Sequence, residues 1–125
     1  MRLALPLILG LMLVSAQAHA IDSSGNYAVW GTGKKSCFGF QQDMKEGNTD
    51  KYKHYMKGFI TAYNIFTDNT YSISGNMNEN QIFEWIGSYC SENPMSSFEA
   101  ALTSFTFDHY DNRTKNARAS GGTAW

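Results

Sequence analysis

Cys37 and Cys90 are the only cysteines in the chain, and their pairing is the most definite chemistry it offers. Two thiols that reach an oxidising compartment usually pair. Cys37 with Cys90 is the one intrachain bridge open to them. It closes a loop of roughly 50 residues, which a chain-entropy argument values at about 4 kcal/mol. An intermolecular bridge and two free thiols are the alternatives. Two cysteines with no nearby histidine make a poor metal site. Beyond residue 20 the histidines are His54 and His109, and neither stands in HExxH or another ligand spacing. Asp108 and Asp111 of "DHYD" fall at i and i+3 beside His109. They read as a solvated helix end rather than a cation site. No serine sits in GxSxG. "GTGKK" lacks the remainder of a phosphate loop. Glu79, Glu84, Glu92 and Glu99 are spread over helix surfaces and form no acid and base pair. "NRT", beginning at Asn112, is a glycosylation sequon with meaning only in a eukaryotic secretory route. The expectation is a non-enzymatic chain with no catalytic residue, no metal and no cofactor.

The compartment is read from the start of the chain. Arg2, the apolar run "LALPLILGLMLV" and the small-residue pattern "AHA" have the order of a secretory signal. The run is too short for a transmembrane helix, which needs about 20 apolar residues. Cleavage after Ala20 is expected, with an uncleaved anchor as the alternative. The remaining chain is expected to be periplasmic or secreted, with no membrane association. The chain holds ten Lys and Arg, including Arg2, against 11 Asp and Glu. Acids therefore outnumber bases after cleavage. No basic patch points to nucleic acid. One domain fits the length. All three Trp, seven Tyr and eight Phe lie beyond Ala20, a rich supply for a small core.

The elements that must position these residues read as helices. Residues 21–34, rich in Gly and Ser, form an extended lead-in from which Tyr27, Val29 and Trp30 are available to pack. A short helix over 35–45 carries Cys37, Gln41 and Met44 on one side, with Ser36 as a cap and Gly47 as a stop. "TDKYKHYMKGFITAYNIF" places Tyr52, Tyr55, Met56, Phe59, Tyr63 and Phe66 at steps of three or four, the helical period. Thr49 or Asp50 caps it. Gly58 costs about 1 kcal/mol relative to Ala inside a helix, so close approach of another helix is expected there. Asn64 reads as a satisfied core amide. Residues 67–76 form a polar loop ending at Gly75, either a contact surface or a plain connector. A third helix opens with the capping box of Asn78 and Gln81. Its stripe is Ile82, Trp85, Ile86 and Tyr89, widened by Phe83 and Cys90, and Gly87 suggests another close contact. Asn93 and Pro94 open the fourth helix, with Phe98, Ala101, Leu102 and Phe105 as its inner stripe. Residues 114–125 read as a mobile tail. The prediction is an all-α domain over 35–113, a bundle of about four helices stapled by one disulfide. Tyr and Phe at helical spacing are assigned to the core, and Tyr71 in the polar loop is a candidate contact residue.

The string "SCFGF", "YMKGFITAYN", a polar loop and "IFEWIGSYCSENP" followed by a helix resembles two sorts of small periplasmic helical protein. One is the Rap/Tai-type immunity proteins, which guard bacteria against cell-wall amidases delivered by type VI secretion. The other is the HdeA-like acid-stress chaperones. The resemblance covers about half the chain and implies a protein that binds proteins, and a homodimer. On the immunity reading, loop 67–76 plugs the cleft of a cell-wall hydrolase, with Asp68, Asn69 and Tyr71 as contacts and the disulfide keeping the loop preorganised. On the chaperone reading, acid protonates the carboxylates, aromatic surface opens and unfolded clients bind.

Overall fold

The computed structural model describes residues 21–120. Residues 1–20, over which the sequence suggests a secretory signal, and residues 121–125 of the expected tail lie outside the described residues. Four helices carry the fold: α1 (Cys37–Lys45), α2 (Asp50–Phe66), α3 (Glu79–Glu92) and α4 (Phe98–His109). Short 3-10 turns span Gly31–Lys34, Tyr110–Asn112 and Ala117–Ser120. Among the described residues there is no strand, only two isolated bridges, Ser36 with Ser97 and Ser72 with Thr114. No described helix is long and apolar enough to cross a membrane.

Local sequence explains where most helices begin. The Ser36 hydroxyl accepts from the Gly39 N–H, and Asn78 and Gln81 form a complete capping box. Thr49 occupies the cap of α2 without a side-chain bond, and Asp50 supplies an acid to the first turn. The start of α4 differs from expectation. Asn93 ends α3, its side-chain amide donating to the Tyr89 carbonyl at 2.9 Å, and Pro94 lies in the turn. Ser97 caps α4 instead, accepting from Ala100 N–H at 3.0 Å. The reason is tertiary. Cys37 and Phe38 donate their N–H groups to the Ser96 and Pro94 carbonyls at 2.7 and 3.0 Å, and Phe98 N–H donates to Lys35 O at 2.8 Å. The turn before α4 is thus held open as a partner for the first turn of α1.

The Cys37–Cys90 disulfide lies beside these bonds, with the Cα atoms 4.8 Å apart and both residues fully buried. It fastens the start of α1 to the end of α3. Gln41 Nε2 donates to Ser91 Oγ at 2.7 Å on the same seam. The core centres on Phe40, whose ring contacts Tyr52, Phe83 and Phe98 at centroid distances of 4.9, 5.3 and 5.0 Å. A second aromatic group joins Trp85, Tyr89, Phe105 and His109 between α3 and α4. On α2 the fully inward positions are Tyr52, Met56 and Ile60, with Tyr55, Phe59 and Tyr63 half-buried beside them. Phe66, expected on this stripe, is 85% exposed. It stands at the last position of α2, where the helix gives way to the loop.

Gly58 and Gly87 do not mark helix contacts, because an added Cβ at either would meet nothing within 4 Å. Close approach occurs instead at Gly33, where a Cβ would strike the Tyr55 phenol and Val29. The lead-in is accordingly packed: the turn Gly31–Lys34 rests on α2 and α4. Tyr27 Oη donates to the Glu99 carboxylate at 3.2 Å, and Thr103 donates to the same group at 2.6 Å. Burial, then the Glu99 charge, raises the phenol pKa of both Tyr27 and Tyr55. Thr114, placed with the mobile tail by sequence, is buried and bridged to Ser72.

Asp43 joins α1 to the first turn of α2. Its carboxylate accepts from Tyr52 Oη at 2.6 Å and pairs with Lys51 at 2.7 Å. The Lys51 hydrogen bond, then that of Tyr52, holds the Asp43 pKa below the usual carboxylate value. The charged form is therefore favoured in the folded state. Its stabilisation is present above the unfolded pKa of about 3.9 and is lost as pH falls through the lower folded value. Urea midpoints for the native protein and Asp43→Asn are expected to differ most at neutral pH and to converge below about pH 4. A gap that stays constant down to pH 3 would contradict this.

Candidate functional site

Loop 67–76 leaves α2 at its C-terminus and returns at the cap of α3. Asn69 sits at its turn with φ 53°, a left-handed conformation that Asn tolerates better than most residues. Gly75 has φ 57°, and a Cβ there would lie 2.9 Å from the Asn112 carbonyl oxygen. Both its conformation and its crowding call for glycine.

The loop is tied at several points. Ile73 is fully buried, and its N–H donates to Asn64 Oδ1 at 2.8 Å. Asn64 is thus the satisfied amide the sequence suggested, and its bond holds the loop. Thr114 N–H donates to Ser72 O at 2.9 Å, while Tyr71 and Ser72 donate back to Thr114 O at 2.9 and 3.1 Å. Arg113 donates through Nε to Thr70 Oγ1 at 3.0 Å and through Nη1 to Tyr110 O at 2.7 Å. Its guanidinium lies 3.8 Å from the Tyr110 ring centroid.

These ties correct the role expected of the disulfide. Cys90 lies eleven residues along α3 from Glu79, about 16 Å at helical rise. The bond therefore fastens the opposite end of the bundle. The segment after α4 holds the loop. Asn64→Ala is expected to cost about 1–3 kcal/mol, because it leaves the Ile73 N–H buried without an acceptor. Asn64→Asp, which keeps the acceptor, should recover much of that. Urea denaturation measures both, and faster hydrogen exchange at Ile73 in the alanine variant alone would localise the effect.

Behind the loop lies a cavity of about 770 Å³, bounded by α2, the loop and the start of α3. Its apolar lining includes Met56, Ile60, Met77 and Ile82. Lys57 and Glu79, also in the lining, pair at 3.2 Å and link α2 to α3. That size falls within the range of small-ligand and side-chain pockets, and the four apolar side chains are ringed by polar ones, among them Lys57, Asn64, Tyr71, Asn76 and Glu79.

The three residues singled out by sequence lie on this one loop but do not share one environment. Asp68 and Asn69 are exposed at the turn. Tyr71 is half-buried, lines the cavity and anchors its N–H on Thr114. Sequence reasoning did not find Arg113, Thr114, Met77 or the Lys57–Glu79 pair. Each acts across a long separation in the chain, and no local pattern announces it. Asp108 and Asp111 are both exposed at the end of α4. No family model, no curated protein and no solved structure matches this chain.

Proposed function

We propose that the protein is an exported, non-enzymatic protein-binding domain of the immunity type, which occludes the cleft of a cell-wall amidase. The observation that carries this reading is the tethered loop 67–76: its turn, Asp68 and Asn69, is exposed while Ile73 is locked in the core. A loop held in one shape before contact loses little conformational entropy on binding. Tyr71 and the cavity beside it, lined by both apolar and polar side chains, add a recess for a partner side chain.

The test is direct inhibition. Envelope-targeted amidases, first any encoded beside this gene, are assayed with and without the purified protein. Stoichiometric inhibition is expected, weakened at least about tenfold by Asp68→Arg or Tyr71→Ala with melting temperature unchanged. If no cell-wall hydrolase is inhibited, the reading fails.

The acid-chaperone reading has one observation in its favour, the Asp43 carboxylate, whose links to Lys51 and Tyr52 on α2 are strongest in its charged form. On that reading, acid loosens the α1–α2 junction and frees aromatic surface for clients. Circular dichroism with a hydrophobic dye from neutral pH to pH 2 decides it. Cooperative folding retained at pH 2 without dye uptake removes this alternative.

A further inference from the structure

Three residues that line the cavity behind loop 67–76, Met56, Ile60 and Asn64, stand one turn apart on one face of α2 and span about 12 Å. The row runs from apolar to polar. Met56 and Ile60 are buried, as is Ile82 on α3, and Met77 completes the apolar lining. Two of these four are methionines, whose flexible thioether chains adapt to the shape of an aliphatic occupant. At the other end of the row, Asn64 Oδ1 accepts from Ile73 N–H at 2.8 Å. That bond fixes which way the amide faces and leaves Nδ2 as a donor. Tyr71, two positions before Ile73, brings a phenol hydroxyl to the same lining. Neither Asn64 Nδ2 nor Tyr71 Oη has a hydrogen-bond partner among the described residues. We propose that this cavity is a binding site for a small neutral amphiphile: an aliphatic body lies along Met56, Ile60, Met77 and Ile82, and a carbonyl oxygen accepts from Asn64 Nδ2 and Tyr71 Oη.

Three features select that chemistry. The first is the kind of polar group on offer. With the Asn64 oxygen engaged, the amide and the phenol meet a ligand as donors, so the ligand must bring an acceptor. The second is charge. Lys57 and Glu79, the charged lining residues, pair with each other at 3.2 Å. No unpaired charge in the lining offsets the desolvation of an ionised ligand, so a neutral carbonyl is preferred over a carboxylate. The third is preorganisation. Asn64 and Thr114 hold the loop wall in place, so the recess exists before the ligand arrives. A free acyl amide and an aliphatic residue of a peptide, with its own backbone carbonyl, share this chemistry. The inference does not rest on the amidase reading, because the ligand is held by this chain alone.

Nuclear magnetic resonance on the purified, oxidised protein tests it, with hexanamide and N-acetylleucinamide as probes. Saturable shifts are expected at the Met56 and Met77 methyl groups and the Asn64 side-chain amide, with a dissociation constant on the order of 1 mM. Hexanoate, ionised at neutral pH, should bind at least about tenfold more weakly than hexanamide. Tighter binding of hexanamide assigns the site to a free acyl amide, and tighter binding of N-acetylleucinamide assigns it to a peptide residue. Two near-isosteric variants probe the donors. Asn64→Asp keeps the acceptor for Ile73 N–H and removes the donor, and should weaken both probes about tenfold. Tyr71→Phe removes one hydroxyl, leaves the Tyr71 backbone bond to Thr114 untouched, and should weaken them several-fold. Melting temperatures confirm that each variant is folded, and Tyr71→Phe decides alone if Asn64→Asp is not. No saturable shift with either probe up to about 20 mM, hexanoate binding as well as hexanamide, or folded variants that bind like the native protein would each overturn the proposal. Amidase inhibition with both probes silent would overturn this inference and leave the occlusion reading standing. Probe binding with no hydrolase inhibited would do the reverse.

Discussion

Removing the Cys37–Cys90 bond, by Cys37→Ala with Cys90→Ala, is expected to lower stability by about 4 kcal/mol. The cysteines are 53 residues apart, so the bridge withdraws much of the unfolded chain's freedom. In the folded state both side chains are fully buried in the core, so alanine also loses packing there. For a domain of roughly 100 residues this corresponds to a fall of about 15–20 °C in melting temperature. The loss should not be uniform. α1 is short, and the bond fastens its first residue to α3. Hydrogen exchange should accelerate first at α1 and at the α1–α4 bridge, whereas Ile73 in the loop, tied by Asn64, should change least. A double variant whose melting temperature falls by only a few degrees would show that the helices hold α1 without the staple.

Phe40→Ala is the second large effect, expected to cost about 3–5 kcal/mol. Phe40 is fully buried, and its ring touches aromatic partners from α2, α3 and α4. Truncation leaves a space lined by Tyr52, Phe83 and Phe98, rings that cannot all shift to fill it while their backbones stay in place. Tyr52 is further constrained by its hydroxyl bond to Asp43. Phe40→Leu keeps most of the volume and should cost markedly less. Denaturant midpoints at constant slope measure both, and the aromatic circular dichroism signal of the alanine variant should weaken. If alanine costs under about 1 kcal/mol, Phe40 is not the centre of the core.

These two experiments probe different links between sequence and stability. The disulfide acts largely on the unfolded chain, and Phe40 acts on the packed state. Neither touches loop 67–76 directly. A functional assay on the Asp68 and Tyr71 variants is therefore separable from global stability, which makes the proposed occlusion mechanism open to a clean test.

The all-α class, the one staple and most of the inner stripes follow from local information: period, capping residues and a count of two cysteines. Ser36, Asn78 with Gln81, and Asn64 act as their types and positions suggest, because a cap or an amide bond needs only near neighbours in space. What the chain does at Phe40, Ser97, Gly33 and Thr114 was decided by tertiary structure. Phe40 sits beside Cys37 on a short helix, and only the meeting of all four helices makes it central. Ser97 displaces Asn93 as a cap because the turn before α4 must serve α1. Gly33 is needed because Tyr55, 22 positions later, lies over it, and Gly58 is left open because no helix crosses there. The loop's rigidity has the same origin: Arg113 and Thr114 reach it from more than 40 positions away. Periodicity reports which face of an element is apolar. It carries no information on which distant backbone will arrive there, and that arrival sets the shape of the candidate site.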